Sequence, residues 1–165
     1  MGELIRIRGL DVAVARTDFD PCSNSPLGCK SSDWSEATGQ PGLEQAHCFS
    51  ACTFVLAGGV HRFMAPWAQI GVHSIRLSDK RAENLRRAYR GQKSLDEFIQ
   101  DQIIPTEIPR IRRYFEKMGI AQDIVDLMES TPAADLRLLS EDELARTKLV
   151  TDLKSGQSII EQLAQ

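Results

Sequence analysis

The sequence has no long apolar run. The longest such stretch lies around Thr53–Val60, far short of the roughly 20 residues that cross a bilayer, and this excludes a helical membrane span. Charge of one sign is lacking too, for the formal net charge is −3 at pH 7. A chain so near neutrality has no global attraction to nucleic acid or to an anionic membrane. Basic residues outnumber acids over 76–117 and acids outnumber bases over 118–165. The two signs interleave, which reads as solvated helix faces. No internal repeat is present, and Met1-Gly2-Glu3-Leu4-Ile5-Arg6 lacks the charged-then-apolar layout of a leader. The chain opens instead as if inside an amphipathic helix, without cap or lead-in.

What is present is ordinary for a folded chain. Apolar residues are 42% and charged residues 26% of 165, which excludes a largely disordered polymer and suffices for one domain with one core. Aromatics are only 6%, and Trp34 and Trp67 read as packing anchors. Four cysteines, Cys22, Cys29, Cys48 and Cys52, allow two disulfides in three pairings. Cys22 and Cys29 sit in a Pro-, Ser-, Asn- and Gly-rich stretch that suits an extracytoplasmic staple. Free thiols in a reducing compartment are the equal alternative.

Local patterns predict an α/β order. Leu4, Ile5, Ile7 and Leu10 fit one helical face ended near Gly9. Residues 10–15 alternate like a strand. Residues 17–46 read as one long polar loop. Residues 50–59 are small and apolar on all sides, a buried helix closed by Gly58-Gly59. Short strands follow at 62–66 and 69–73. A helical insert is expected at about 79–130, with Leu85, Leu95, Phe98 and Ile103 facing inward. A capping box opens at Ser94, Pro105 ends that helix, and Gly119 stops the next. Ile124, Val125 and Met128 mark one more helix, Leu136–Leu139 a strand, Ser140-Glu141-Asp142-Glu143 a second capping box, and Leu149-Val150 a terminal strand.

Ser50 stands where a loop meets the buried helix. There it is either the N-cap or a nucleophile presented from a fixed turn, with the Ala51 amide next to it as an oxyanion donor. His73 ends an apolar strand one short supersecondary unit later, in position to converge on Ser50 as a general base. A second donor set, His47, Cys48, Cys52, His61 and His73, includes a Cys-x₃-Cys with nearby histidines and suits zinc. Otherwise Cys48 and Cys52 pack as small apolar residues or pair beside Ser50.

The stretch Cys48-Phe49-Ser50-Ala51-Cys52-Thr53-Phe54-Val55-Leu56-Ala57-Gly58-Gly59, continued by Arg62-Phe63-Met64-Ala65-Pro66 and Gln69-Ile70-Gly71-Val72-His73, resembles the active-site core of the Clp protease proteolytic subunit in the crotonase superfamily. It is more similar still to uncharacterised bacterial, periplasmic Clp-protease-like proteins with a Cys-x-Ser-Ala-Cys elbow. The resemblance implies a ββα superhelix over residues 1–165 as one domain whose first strand is missing. It implies acyl-enzyme hydrolysis of a peptide or small acyl substrate, with Ser50 as nucleophile, His73 as base and Ala51 as oxyanion donor. Asp135 is the nearest orienting carboxylate, one residue off the family offset, with Leu136 in the aligned position. The family's upstream Gly-Gly oxyanion loop has no counterpart before Gly58. No cofactor, metal or nucleic acid is implied. Location is periplasmic by the resemblance, or cytoplasmic if the chain is complete, and a homo-oligomer would assemble through the helical insert. The competing reading is a catalytically inactive scaffold or binding module on the same fold.

Overall fold

The computed structural model describes residues 1–20, 38–42, 45–65, 67–77, 79–88 and 95–151. Cys22, Cys29, Trp34 and Ser94 lie outside the described residues, as does the chain beyond Thr151. The architecture is mixed α/β with small sheets. Its elements are α1 (Gly2–Ile7), β1 (Val12–Val14), β2 (Arg16–Asp20), β3 (Thr38–Gly42), β4 (His47–Phe49), α2 (Cys52–Ala57), β5 (Arg62–Met64) and β6 (Gln69–Val72). Then come α3 (Asp79–Ala88), α4 (Leu95–Phe98), a π turn (Ile99–Ile103), α5 (Ile104–Lys117), α6 (Asp123–Ser130), β7 (Arg137–Leu138) and α7 (Glu141–Thr147). Among the described residues no helix is long and apolar enough to cross a membrane.

Two parallel ladders frame the site. β1 pairs with β5, Val12 opposite Arg62. β4 pairs with β6, Cys48 opposite Ile70, and β7 adds to β6 antiparallel. α2 connects the two ladders and buries Thr53, Leu56 and Ala57, while Cys52, Phe54 and Val55 keep part of their surface in solvent. One core joins Cys48, Leu56, Ile70 and Val72 with Phe115 of α5, Ile124 and Val125 of α6 and Leu144 of α7. Between 79 and 130 the described residues form helices and their connections only, and Arg112 ties α5 to Asp126 and Glu129 of α6.

Several local expectations are corrected. Residues 16–20 and 38–42 are not loop but an antiparallel hairpin, Arg16 opposite Gly42. In a two-stranded ribbon both strands are edges, so Pro41 costs no interior hydrogen bond. In α1, Leu4 is 60% and Ile7 77% exposed, and Ile5 is half-buried. α1 packs instead through Gly2, whose backbone lies so close to Gly58 that a Cβ on Gly58 would meet the Gly2 Cα at 2.6 Å. Pro105 does not end a helix. It sits in the first turn of α5, where a missing N–H is least costly, directly after the π turn that continues the coil from α4. Leu149 and Val150 are buried but form no strand. Trp67 is 75% exposed at the turn between β5 and β6 rather than a packing anchor. The capping box at Ser140 and Glu143 is present with both of its hydrogen bonds.

Candidate functional site

Ser50 lies between the end of β4 and the start of α2, and its φ is +55°. For a non-glycine residue the left-handed region costs about 1–2 kcal/mol, and such residues persist only where the surroundings over-determine them. Here the Ser50 N–H donates to the Gly71 carbonyl on β6 at 2.9 Å. Its carbonyl accepts from the Thr53 N–H at 3.1 Å and from Thr53 Oγ1 at 2.7 Å. Across this turn runs a disulfide, Cys48 to Cys52. The turn sets Ser50 at the wall of a cavity of about 470 Å³. Ala51 follows as the exposed N-cap of α2, and among the described residues its N–H donates to no carbonyl.

The same cavity is lined by His73, which follows the last residue of β6. The parallel pairing of β4 with β6 therefore brings the two sequence-predicted residues to one wall. His73 Nδ1 lies 2.6 Å from the Ser74 carbonyl. A carbonyl only accepts, so Nδ1 carries a proton, and in the neutral imidazole Nε2 keeps its lone pair. The Ser74 N–H is in turn anchored on the Thr131 carbonyl at 2.9 Å. Phe54, Ile75, Leu77, Ile111 and Met128 give the cavity an apolar lining, and Arg76 adds a cation.

Asp135 is not brought to His73. It is exposed, its N–H bonds to the Pro132 carbonyl, and it does not line the cavity. The Nδ1 position where the resemblance expects a carboxylate is taken by the Ser74 carbonyl. Among the described residues no hydrogen bond joins Ser50 Oγ to His73. The zinc set is not assembled either. Cys48 and Cys52 are spent on each other, His61 Nδ1 pairs with Asp11 at 2.9 Å on the surface, and His47 packs on Phe49. Among the described residues no group of three metal-binding side chains exists. Cys22 and Cys29 fall outside them.

At the far end of α2 two arginines close on its last carbonyls. Arg6 donates to the Ala57 and Gly58 carbonyls and to Met118. Arg62, only 4% exposed, donates to Gly59, Lys148 and Leu149. Burial, and then the nearby Arg6, push the Arg62 guanidinium below its ordinary pKa. Arg62 thereby bridges segments within the chain.

No protein-family model matches the chain, and a search of curated proteins finds no match.

Proposed function

We propose that the protein is a serine hydrolase of crotonase/Clp-protease-like fold, cleaving amide or ester bonds through an acyl-enzyme on Ser50. The observation that carries this reading is the strained, left-handed Ser50 at a strand-to-helix turn, sharing one apolar cavity with a histidine whose Nε2 is free to accept. His73 Nε2 takes the Ser50 Oγ proton as Oγ bonds to the substrate carbonyl carbon. The carbonyl oxygen becomes an oxyanion within reach of the Ala51 amide at the positive end of α2. Collapse breaks the bond to the leaving amine or alcohol, which receives the proton from His73. Water then attacks the acyl-enzyme with His73 again as base, restoring the Ser50 hydroxyl. The apolar lining suits an apolar acyl group or side chain. The oxidised Cys48–Cys52 pair supports an extracytoplasmic location, as the periplasmic resemblance implies.

A second reading is a silent scaffold on this fold. In its favour is the absence, among the described residues, of a Ser50–His73 hydrogen bond and of a carboxylate on His73. A fluorophosphonate probe separates the two. The hydrolase reading expects covalent labelling of folded wild-type protein and none of Ser50→Ala. Failure to label the wild type, under conditions that label a reference serine hydrolase, overturns it.

A further inference from the structure

We propose that the Cys48–Cys52 disulfide is the positioning device for Ser50, so that the site is competent only when the pair is oxidised; the competence rests on the hydrolase reading above. The bond joins residue i−2 to residue i+2 around Ser50 and holds their Cα atoms 5.1 Å apart. Four extended peptide units span about 13 Å, so the crosslink demands a tight reversal at the serine. The remaining restraints act on separate halves of the turn. The Ser50 N–H is tied to β6 through Gly71, and the Ser50 carbonyl to the first turn of α2 through Thr53. What couples strand to helix covalently across the Ser50 dihedrals is the disulfide. Neither cysteine lines the cavity, so their effect reaches the site through backbone conformation, making them positioning rather than catalytic residues.

The geometry also sets the direction of reduction. Cys48 is fully buried, whereas Cys52 keeps part of its surface. A thiolate of a dithiol reductant attacks Cys52 Sγ and expels the Cys48 thiolate, which takes up a proton. The second thiol then attacks the mixed disulfide and releases Cys52. Two electrons and two protons pass to the cysteines, and the reagent becomes a cyclic disulfide. Once uncoupled, Ser50 relaxes toward negative φ, which non-glycine residues prefer. Its Oγ and the Ala51 amide then leave the cavity wall together.

The test uses the full chain in a Cys22→Ser, Cys29→Ser background, so that reductant acts only at Cys48 and Cys52. Two quantities are read before and after dithiothreitol: the fluorophosphonate labelling rate of Ser50, and its φ-dependent amide–Hα coupling by NMR. The expected result is a labelling rate at least tenfold slower, a coupling that leaves the left-handed value, and recovery of both on reoxidation. In a further Cys48→Ala, Cys52→Ala variant the reductant changes neither. A reduced protein that keeps its Ser50 coupling and labelling rate overturns the proposal. So does a reduced protein that loses its helical circular dichroism, which would make the bond a plain structural crosslink. An oxidised protein that never labels overturns the hydrolase reading and the redox dependence with it, while the coupling alone still decides whether the bond positions Ser50.

Discussion

The two ends of α2 are built in opposite ways. At its C-terminal end every arrangement closes. The Ala57, Gly58 and Gly59 carbonyls accept from Arg6 and Arg62, which also suits the negative end of a helix dipole. Gly2 packs into the same place with no side chain between the backbones. At its N-terminal end the chain is held open: a serine in left-handed conformation, an amide without a carbonyl partner among the described residues, and a cavity in front of both. One end spends its polar groups on stability. The other keeps strain and unspent donors facing an apolar space, which is how functional sites differ from the scaffold beneath them.

The largest expected effect breaks the open end alone. On the hydrolase reading His73 is the base, so His73→Ala should slow Ser50 labelling about 10²–10⁴-fold, the usual contribution of general base catalysis, with the unfolding midpoint nearly unchanged. Asp135→Ala should leave the labelling rate within about twofold, as expected for an exposed side chain, because the Ser74 carbonyl already holds Nδ1. A large loss in Asp135→Ala would show that the acid reaches His73 during labelling and that the carbonyl is only a resting partner.

Next is the closed end. Arg62→Ala strips a buried guanidinium from three carbonyls. The cost of leaving buried acceptors unpaired is about 3 kcal/mol in all, roughly a 6–12 °C fall in melting temperature for a chain of this size. Labelling per folded molecule should not change. Arg62→Lys should recover little, since an ammonium on a single stem cannot reproduce the forked donors. Equal losses of stability and of labelling rate would mean that the two ends are not independent.

How much of this was readable beforehand follows from the range of the forces involved. The meeting of Ser50 and His73 at one cavity was legible because strand, turn and helix are local patterns and the distance between the two residues is one supersecondary unit. The packing of α1 through Gly2 was not legible because glycine carries no hydrophobic signal, and the contact of Gly2 with Gly58 joins residues far apart in sequence. Leu149 and Val150 looked like a strand by apolar content, yet the Lys148 and Leu149 carbonyls go to Arg62 instead of a ladder. The pairing of Cys48 with Cys52 was one of three choices that only the β4–α2 turn decides. The Ser74 carbonyl at His73 had no sequence signal at all, because every residue has a carbonyl. Met128 was legible as a helix-face residue but not as a wall of the cavity, which needs the packing of α5 and α6.

The smallest expected effect tests how far the closed end extends. α7 reaches it through Lys148, whose carbonyl accepts from Arg62 Nη2 at 2.8 Å. The opposite end of α7 is secured by the capping box, where the Ser140 N–H donates to Glu143 Oε2 at 3.0 Å. That N–H, and then Arg137, hold the Glu143 carboxyl below its ordinary pKa of 4.5. A carboxyl depressed in the folded state contributes stability that is present above its unfolded pKa and is lost as pH falls through the folded value. The cap should therefore weaken as the solution is acidified below about pH 4.5, and Glu143→Ala should cost about 1 kcal/mol at pH 7. The variant should lose that pH-dependent increment, measured by urea unfolding at pH 7 and pH 3. Amide exchange should quicken first in α7 and at Thr151, whose N–H bonds to the Arg62 carbonyl, and should be unaltered at Ala51. Quickened exchange at Ala51 would mean that the open end of α2 depends on the same clamp, and the division between the two ends would fail.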